Sequence, residues 1–98
     1  MAEALLRLAD FTPLVGSEFQ LEPQGATPLP ARLLQAQAGR YAGDAARAPF
    51  SLVFEAPAQP VLPQSTYRLQ HAVLGALEIF LVPVGRSATG VHYEAVFG

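Results

Sequence analysis

Apolar residues in this chain recur at every second position, in runs soon cut off by proline or glycine. A half-buried strand has that period, because successive side chains leave a pleated backbone on opposite faces. Residues 17–22 place Phe19 and Leu21 on one face and Glu18, Gln20 and Glu22 on the other. Residues 50–55 alternate with Phe50, Leu52 and Phe54 inward, and residues 65–71 with Tyr67, Leu69 and His71 together. In 91–97, Val91, Tyr93, Ala95 and Phe97 share a face. Residues 31–38 alternate Leu34, Ala36 and Ala38 with Gln35 and Gln37, although Ala and Gln favour helices.

Residues 76–84 are apolar on both faces: Leu77, Ile79 and Leu81 on one, Phe80 and Val82 on the other. Such a strand is central or covers an interface. Its hairpin with 65–71 has two registers. A three-residue loop with Gly75 left-handed pairs Leu69 with Ile79 and Tyr67 with Leu81. Closure at His71 and Gly75 pairs Leu69 with Leu77 and Arg68 with Glu78. Both keep apolar opposite apolar, so pattern leaves the choice open.

Residues 2–9 favour a short helix, a lid on one end of the body, and Pro13 discourages its continuation. Residues 39–49 have no period and read as the longest loop. Residues 85–90 read as a hairpin loop, and Pro57, Pro60 and Pro63 stiffen a crossover. The sum is one all-β domain over 1–98, with its β body at 17–97. It is a small sandwich or open barrel of about six antiparallel strands with a short N-terminal helix.

What is missing narrows the chemistry. There is no Lys, so no Schiff base and no P-loop lysine. There is no Cys, so no thiol nucleophile, disulfide or thiolate metal site. All six basic residues are scattered arginines and the net charge is −2. A nucleic-acid binder carries a basic patch or stripe, so no nucleic-acid partner is expected. No run reaches the roughly 18 apolar residues of a spanning helix. The N-terminus lacks the form of a secretory signal. The expectation is no membrane insertion, and a cytoplasmic protein or a part of an assembled particle.

Few residues offer chemistry. Ser17, Ser51, Ser65 and Ser87 are available, but none sits in a nucleophile elbow. His92 and Glu94 share a strand face, and Glu78 would join them if 76–84 pairs suitably with 91–97. A solvated polar sheet face explains them more simply than a metal cluster. No catalytic residue, metal site or cofactor is therefore expected. A small-ligand or carbohydrate site would need Tyr41, Tyr67, Arg68 or His71 on one concave face. The face of Phe80 and Val82 either lies under the N-terminal helix or meets another chain. Val96, on a last strand read as an unguarded edge, is the third contact candidate.

Several segments together resemble a known family. They are Phe11-Thr-Pro-Leu-Val-Gly16 with Phe19, Pro49-Phe-Ser-Leu-Val-Phe54, and Leu62-Pro-Gln-Ser-Thr-Tyr-Arg-Leu-Gln-His71. Leu74-Gly-Ala-Leu-Glu-Ile-Phe-Leu-Val-Pro-Val-Gly85 and Tyr93-Glu-Ala-Val-Phe97 complete the set. The chain resembles small uncharacterised bacterial proteins often encoded beside phage-tail-collar proteins of the microcystin-dependent type. The resemblance implies a setting, accessory to a tail-fibre-like assembly, and brings no catalytic signature. The expected function is a non-enzymatic module that binds another protein or copies of itself.

Overall fold

The computed structural model of the protein describes residues 6–39 and 49–97. The chain runs through a helical turn α1 (Leu8–Phe11) and a 3-10 turn (Thr12–Leu14), then β1 (Glu18–Glu22), β2 (Leu29–Ala38) and β3 (Phe50–Ala56). It continues in β4 (Ser65–His71), β5 (Gly75–Ser87) and β6 (Gly90–Phe97). The strands form a closed barrel in the order β1-β2-β3-β6-β5-β4, every neighbour antiparallel. The sheet that an open barrel would leave with two edges is joined by β1 and β4. Their seam pairs Gln20 with Gln70, Leu21 with Leu69 and Glu22 with Arg68.

Alternation works as the sequence indicates. Phe19 and Leu21, then Phe50, Leu52 and Phe54, then Leu69, Leu81 and Tyr93 are all buried inside. Phe19 meets Phe54 edge to face at 5.2 Å between ring centroids. Apart from the hydroxyls of Tyr67 and Tyr93, no polar or charged side chain is buried among the described residues. The interior is thus a packed core, as expected of a barrel with this few strands.

In β2 the parity changes. A bulge between Leu33 and Gln35 inserts an unpaired residue, so Ala31 and Leu33 point inward and Leu34 is pushed to the surface. The simple alternation read from Leu34 onward is corrected at that residue. A second irregularity lies between Pro83 and Gly85 in β5, where proline's missing N–H is tolerated. Beyond it the strand continues to Ser87, which pairs with Gly90. The loop read at 85–90 is therefore mostly strand. Gly90 is required there, since a Cβ would lie 2.2 Å from the Ala56 carbonyl oxygen.

The β4–β5 hairpin takes the second register, with His71 opposite Gly75, Leu69 opposite Leu77 and Arg68 opposite Glu78. Gly75 has φ +77°, a conformation that favours glycine.

Both barrel ends are plugged. At one, Phe11 from α1 is buried against Phe50 and Phe97, with centroids 6.0 and 6.2 Å away. Phe50 and Phe97 stack at 4.6 Å. The described helical turn opens at Leu8, with Asp10 accepting from the Arg7 backbone N–H. Residues 1–5 lie outside the described residues, as does most of the loop read at 39–49. At the other end, the crossover after β3 inserts Leu62, whose N–H donates to the Tyr93 hydroxyl at 2.9 Å. Tyr67 donates to the Pro63 carbonyl at 2.6 Å. Among the described residues, no helix is long and apolar enough to cross a membrane.

Candidate functional site

Of the residues considered for a small ligand, Tyr67 and Arg68 line one groove, and His71 lies apart from it. Tyr67 points inward and is buried with its hydroxyl on Pro63, whereas Arg68 points outward by strand alternation. Burial, and secondarily Tyr93, pushes the Tyr67 phenol above its ordinary range. Tyr41 lies outside the described residues. Arg68 forms an outer row with its cross-strand neighbours Glu22 and Glu78, and its Nε lies 3.4 Å from Glu22. A groove of about 390 Å³ runs beside this row, lined also by Thr66 and Gln24.

His71 sits at the rim, its ring 4.4 Å from that of Phe19. Its Nδ1 accepts from the Val73 backbone N–H at 3.0 Å, so the ring's proton resides on Nε2. Nε2 lies 2.9 Å from Ser17 Oγ, and Ser17 Oγ in turn donates to the Leu14 carbonyl at 2.6 Å. A serine nucleophile needs a base that accepts its proton. Here the histidine donates to the serine, the reverse arrangement. The pair ties the β4–β5 hairpin to the segment leading into β1.

The sequence allowed a His92–Glu94–Glu78 cluster, and the register prevents it. Val82 lies opposite Glu94, which leaves Glu78 four residues away along β5. The carboxylate at His92 is instead Glu55, its partner across β3–β6. Glu55 Oε2 accepts from Thr89 at 2.6 Å and from Ser87 at 3.0 Å, and stands 3.2 Å from His92 Nε2. These hydroxyls, Thr89 foremost, and the imidazole hold the Glu55 carboxyl below its ordinary range, against a smaller opposing effect of desolvation. The cluster pins the β5–β6 turn to β3. Pattern reading missed it because Glu55 on β3 is distant in sequence from Ser87, Thr89 and His92 at the β5–β6 hairpin. Among the described residues no group of three or more metal-ligating side chains occurs.

The apolar contact candidates do come together. Phe80, Val82 and Val96 all lie on the outer face, the first two on β5 and Val96 on neighbouring β6. Phe80 is 51% and Val96 73% exposed, with Val82 half-buried. The helix does not cover them, since α1 packs against β2. One expectation is corrected here: β6 is not an edge strand, since it pairs with β3 along its length and with β5 from Gly90 to Glu94.

A family model described as Domain of unknown function (DUF6916) matches residues 6–97, which takes in α1 and every strand of the barrel. The chain belongs to that family. No match was found among curated proteins or among solved structures. For this DUF6916 barrel the functional argument therefore rests on its own surface.

Proposed function

We propose that this DUF6916 barrel is a non-enzymatic protein-interaction module, an accessory part of a phage-tail-like or surface assembly. The observation that carries the reading is the outer face on which Phe80, Val82 and Val96 meet. Along the strands of most antiparallel sheets apolar side chains face the core and polar ones face water. Here Glu78 is followed along β5 by Phe80, Val82 and the 53% exposed Val84, none of them inward. Burying the exposed half of Phe80 alone removes roughly 100 Å² of apolar surface from water, worth about 2–3 kcal/mol of association.

The wiring of Ser17 and His71 supports a module without turnover, because the serine's proton goes to the Leu14 carbonyl and not to a base. The resemblance to proteins encoded beside tail-collar proteins supplies the setting. The test is mass in solution, for the protein alone and with the product of the adjacent gene. Phe80→Glu and Val82→Glu should keep the fold and abolish association. A Phe80→Glu protein that fails to fold would place this side chain in the core and end the proposal. The groove beside Arg68 is the ground for the alternative, a small-ligand or carbohydrate-binding domain, which a glycan array and a ligand-induced melting shift would detect.

A further inference from the structure

We infer that the occupant of the β5–β6 face is a second copy of this chain, docked through its β2 face, so that barrels associate head to tail. This rests on the reading of Phe80, Val82 and Val96 as a contact face and names its partner.

The argument starts from the ring order. In β1-β2-β3-β6-β5-β4, β2 and β5 stand three places apart in a ring of six, on opposite sides of the barrel. Among the described strand residues, the exposed large apolar side chains are Leu34, Phe80, Val84 and Val96. They fall on β2 and on the β5–β6 pair, and on no other strand. Leu34 is outward because of the bulge, a local distortion that places an apolar side chain in water. Val15, 44% exposed, is close by, since Gly16 and Ser17 hydrogen-bond Leu33.

The charges on the two faces are complementary. Glu94 is half-buried between Val53 and Val82, its partners across β3 and β5, neither of which can neutralise it. Opposite-charge pairs are the usual cross-strand arrangement for such a residue. On the β2 side Arg32 is exposed, two residues from Leu34. Its cross-strand neighbours are Glu18 and Glu55, but Glu55 is engaged by Ser87, Thr89 and His92. Arg32 makes neither of the ion pairs found among the described residues. A face-to-face pairing of two β5–β6 faces would instead bring together two surfaces that each carry Glu78 and Glu94, and would leave Arg32 outside the contact. Docking β2 onto β5–β6 brings Arg32 to Glu94 and Leu34 to Phe80. Because each copy keeps one face unused, the contact propagates into a ring or an open stack.

Complementation of two blocked variants tests this. Leu34→Glu blocks only the β2 face, and Val96→Glu, with Phe80→Glu as a second variant, blocks only the β5–β6 face. In analytical ultracentrifugation the unmodified protein should grow past dimer with concentration. Each variant alone should stay monomeric with an unchanged circular dichroism spectrum. The Leu34→Glu and Val96→Glu proteins mixed in equal amounts should form a capped dimer, with the Leu34→Glu protein contributing its β5–β6 face. Glu94→Gln should weaken association at least tenfold at low salt. A monomeric unmodified protein overturns the inference and leaves open a different protein at the same face. A dimer that does not grow, or variants that fail to complement each other, also overturns it. Loss of the fold in both Val96→Glu and Phe80→Glu would overturn this inference and the reading beneath it together.

Discussion

Tyr93→Phe isolates one atom in the plug that closes the barrel. Tyr93 is fully buried, and its hydroxyl accepts the Leu62 N–H at 2.9 Å. The substitution keeps the ring, hence the packing inside the barrel, and removes the acceptor. Leu62 is itself only 7% exposed, so its N–H cannot turn to water without withdrawing the plug. A buried donor left unsatisfied costs about 1–3 kcal/mol. Against a total of about 5–15 kcal/mol for a domain of this kind, that loss is large. For a chain of this length about 1 kcal/mol lowers Tm by about 4–8 °C. Urea unfolding followed by far-ultraviolet circular dichroism is the assay, with the slope m compared between proteins. The midpoint should fall while m stays constant, since the surface exposed on unfolding is unchanged. Tyr67→Phe serves as the comparison. It removes a donor to the Pro63 carbonyl and should cost less, about 0.5–1.5 kcal/mol. A Tyr93→Phe loss smaller than the Tyr67→Phe loss would refute the argument that the Leu62 N–H depends on this hydroxyl.

Other measurements follow from the turn that links β5 to β6. Gly90→Ala sets a methyl against the Ala56 carbonyl and should destabilise by about 1–3 kcal/mol, read by the same urea midpoint. An unchanged midpoint would show that β3 and the turn can separate freely. Glu55 carries the pH dependence. Its carboxyl is held below the ordinary glutamate range by the hydroxyls of Thr89 and Ser87, so the folded state favours the ionised form. The stabilisation is present above the unfolded-state value and is lost as pH falls through the lowered folded-state value. Glu55→Gln should therefore make the midpoint less sensitive to pH across that acid range, and an identical acid limb would refute the role given to Thr89 and Ser87.

Alternation was the legible part of this fold. It identified Phe19, Phe54, Leu69 and Leu81 as interior because each side chain's face depends only on its own strand. It also separated Phe80 and Val82 from Ile79 and Leu81, and those two candidates remain on the outer face. Alternation fails where a residue is added to one strand and not to its neighbour. Leu34 carries no mark of a bulge in its own identity, because the bulge arises from pairing β2 with β3 at both ends. Register between β5 and β6 has the same origin, which is why His92 found Glu55 rather than Glu78. Strand closure was invisible for a further reason. The β1–β4 seam joins Gln20 to Gln70, and no local propensity reports a contact so distant.

The position of β6 governs how the molecule can come into being. β3 is hydrogen-bonded to β6 over its whole length, from Phe50 opposite Phe97 to Ala56 opposite Val91. During synthesis β3 has left the ribosome well before the strand it needs. Until residues 90–97 follow, β3 and β5 each keep an unpaired side, and the ring stands open by one stave. Closure of the barrel thus waits for β6, and such non-local pairing slows two-state folding of β proteins in general. Over that interval the nascent chain exposes the aggregation-prone strand edges that the finished barrel no longer has.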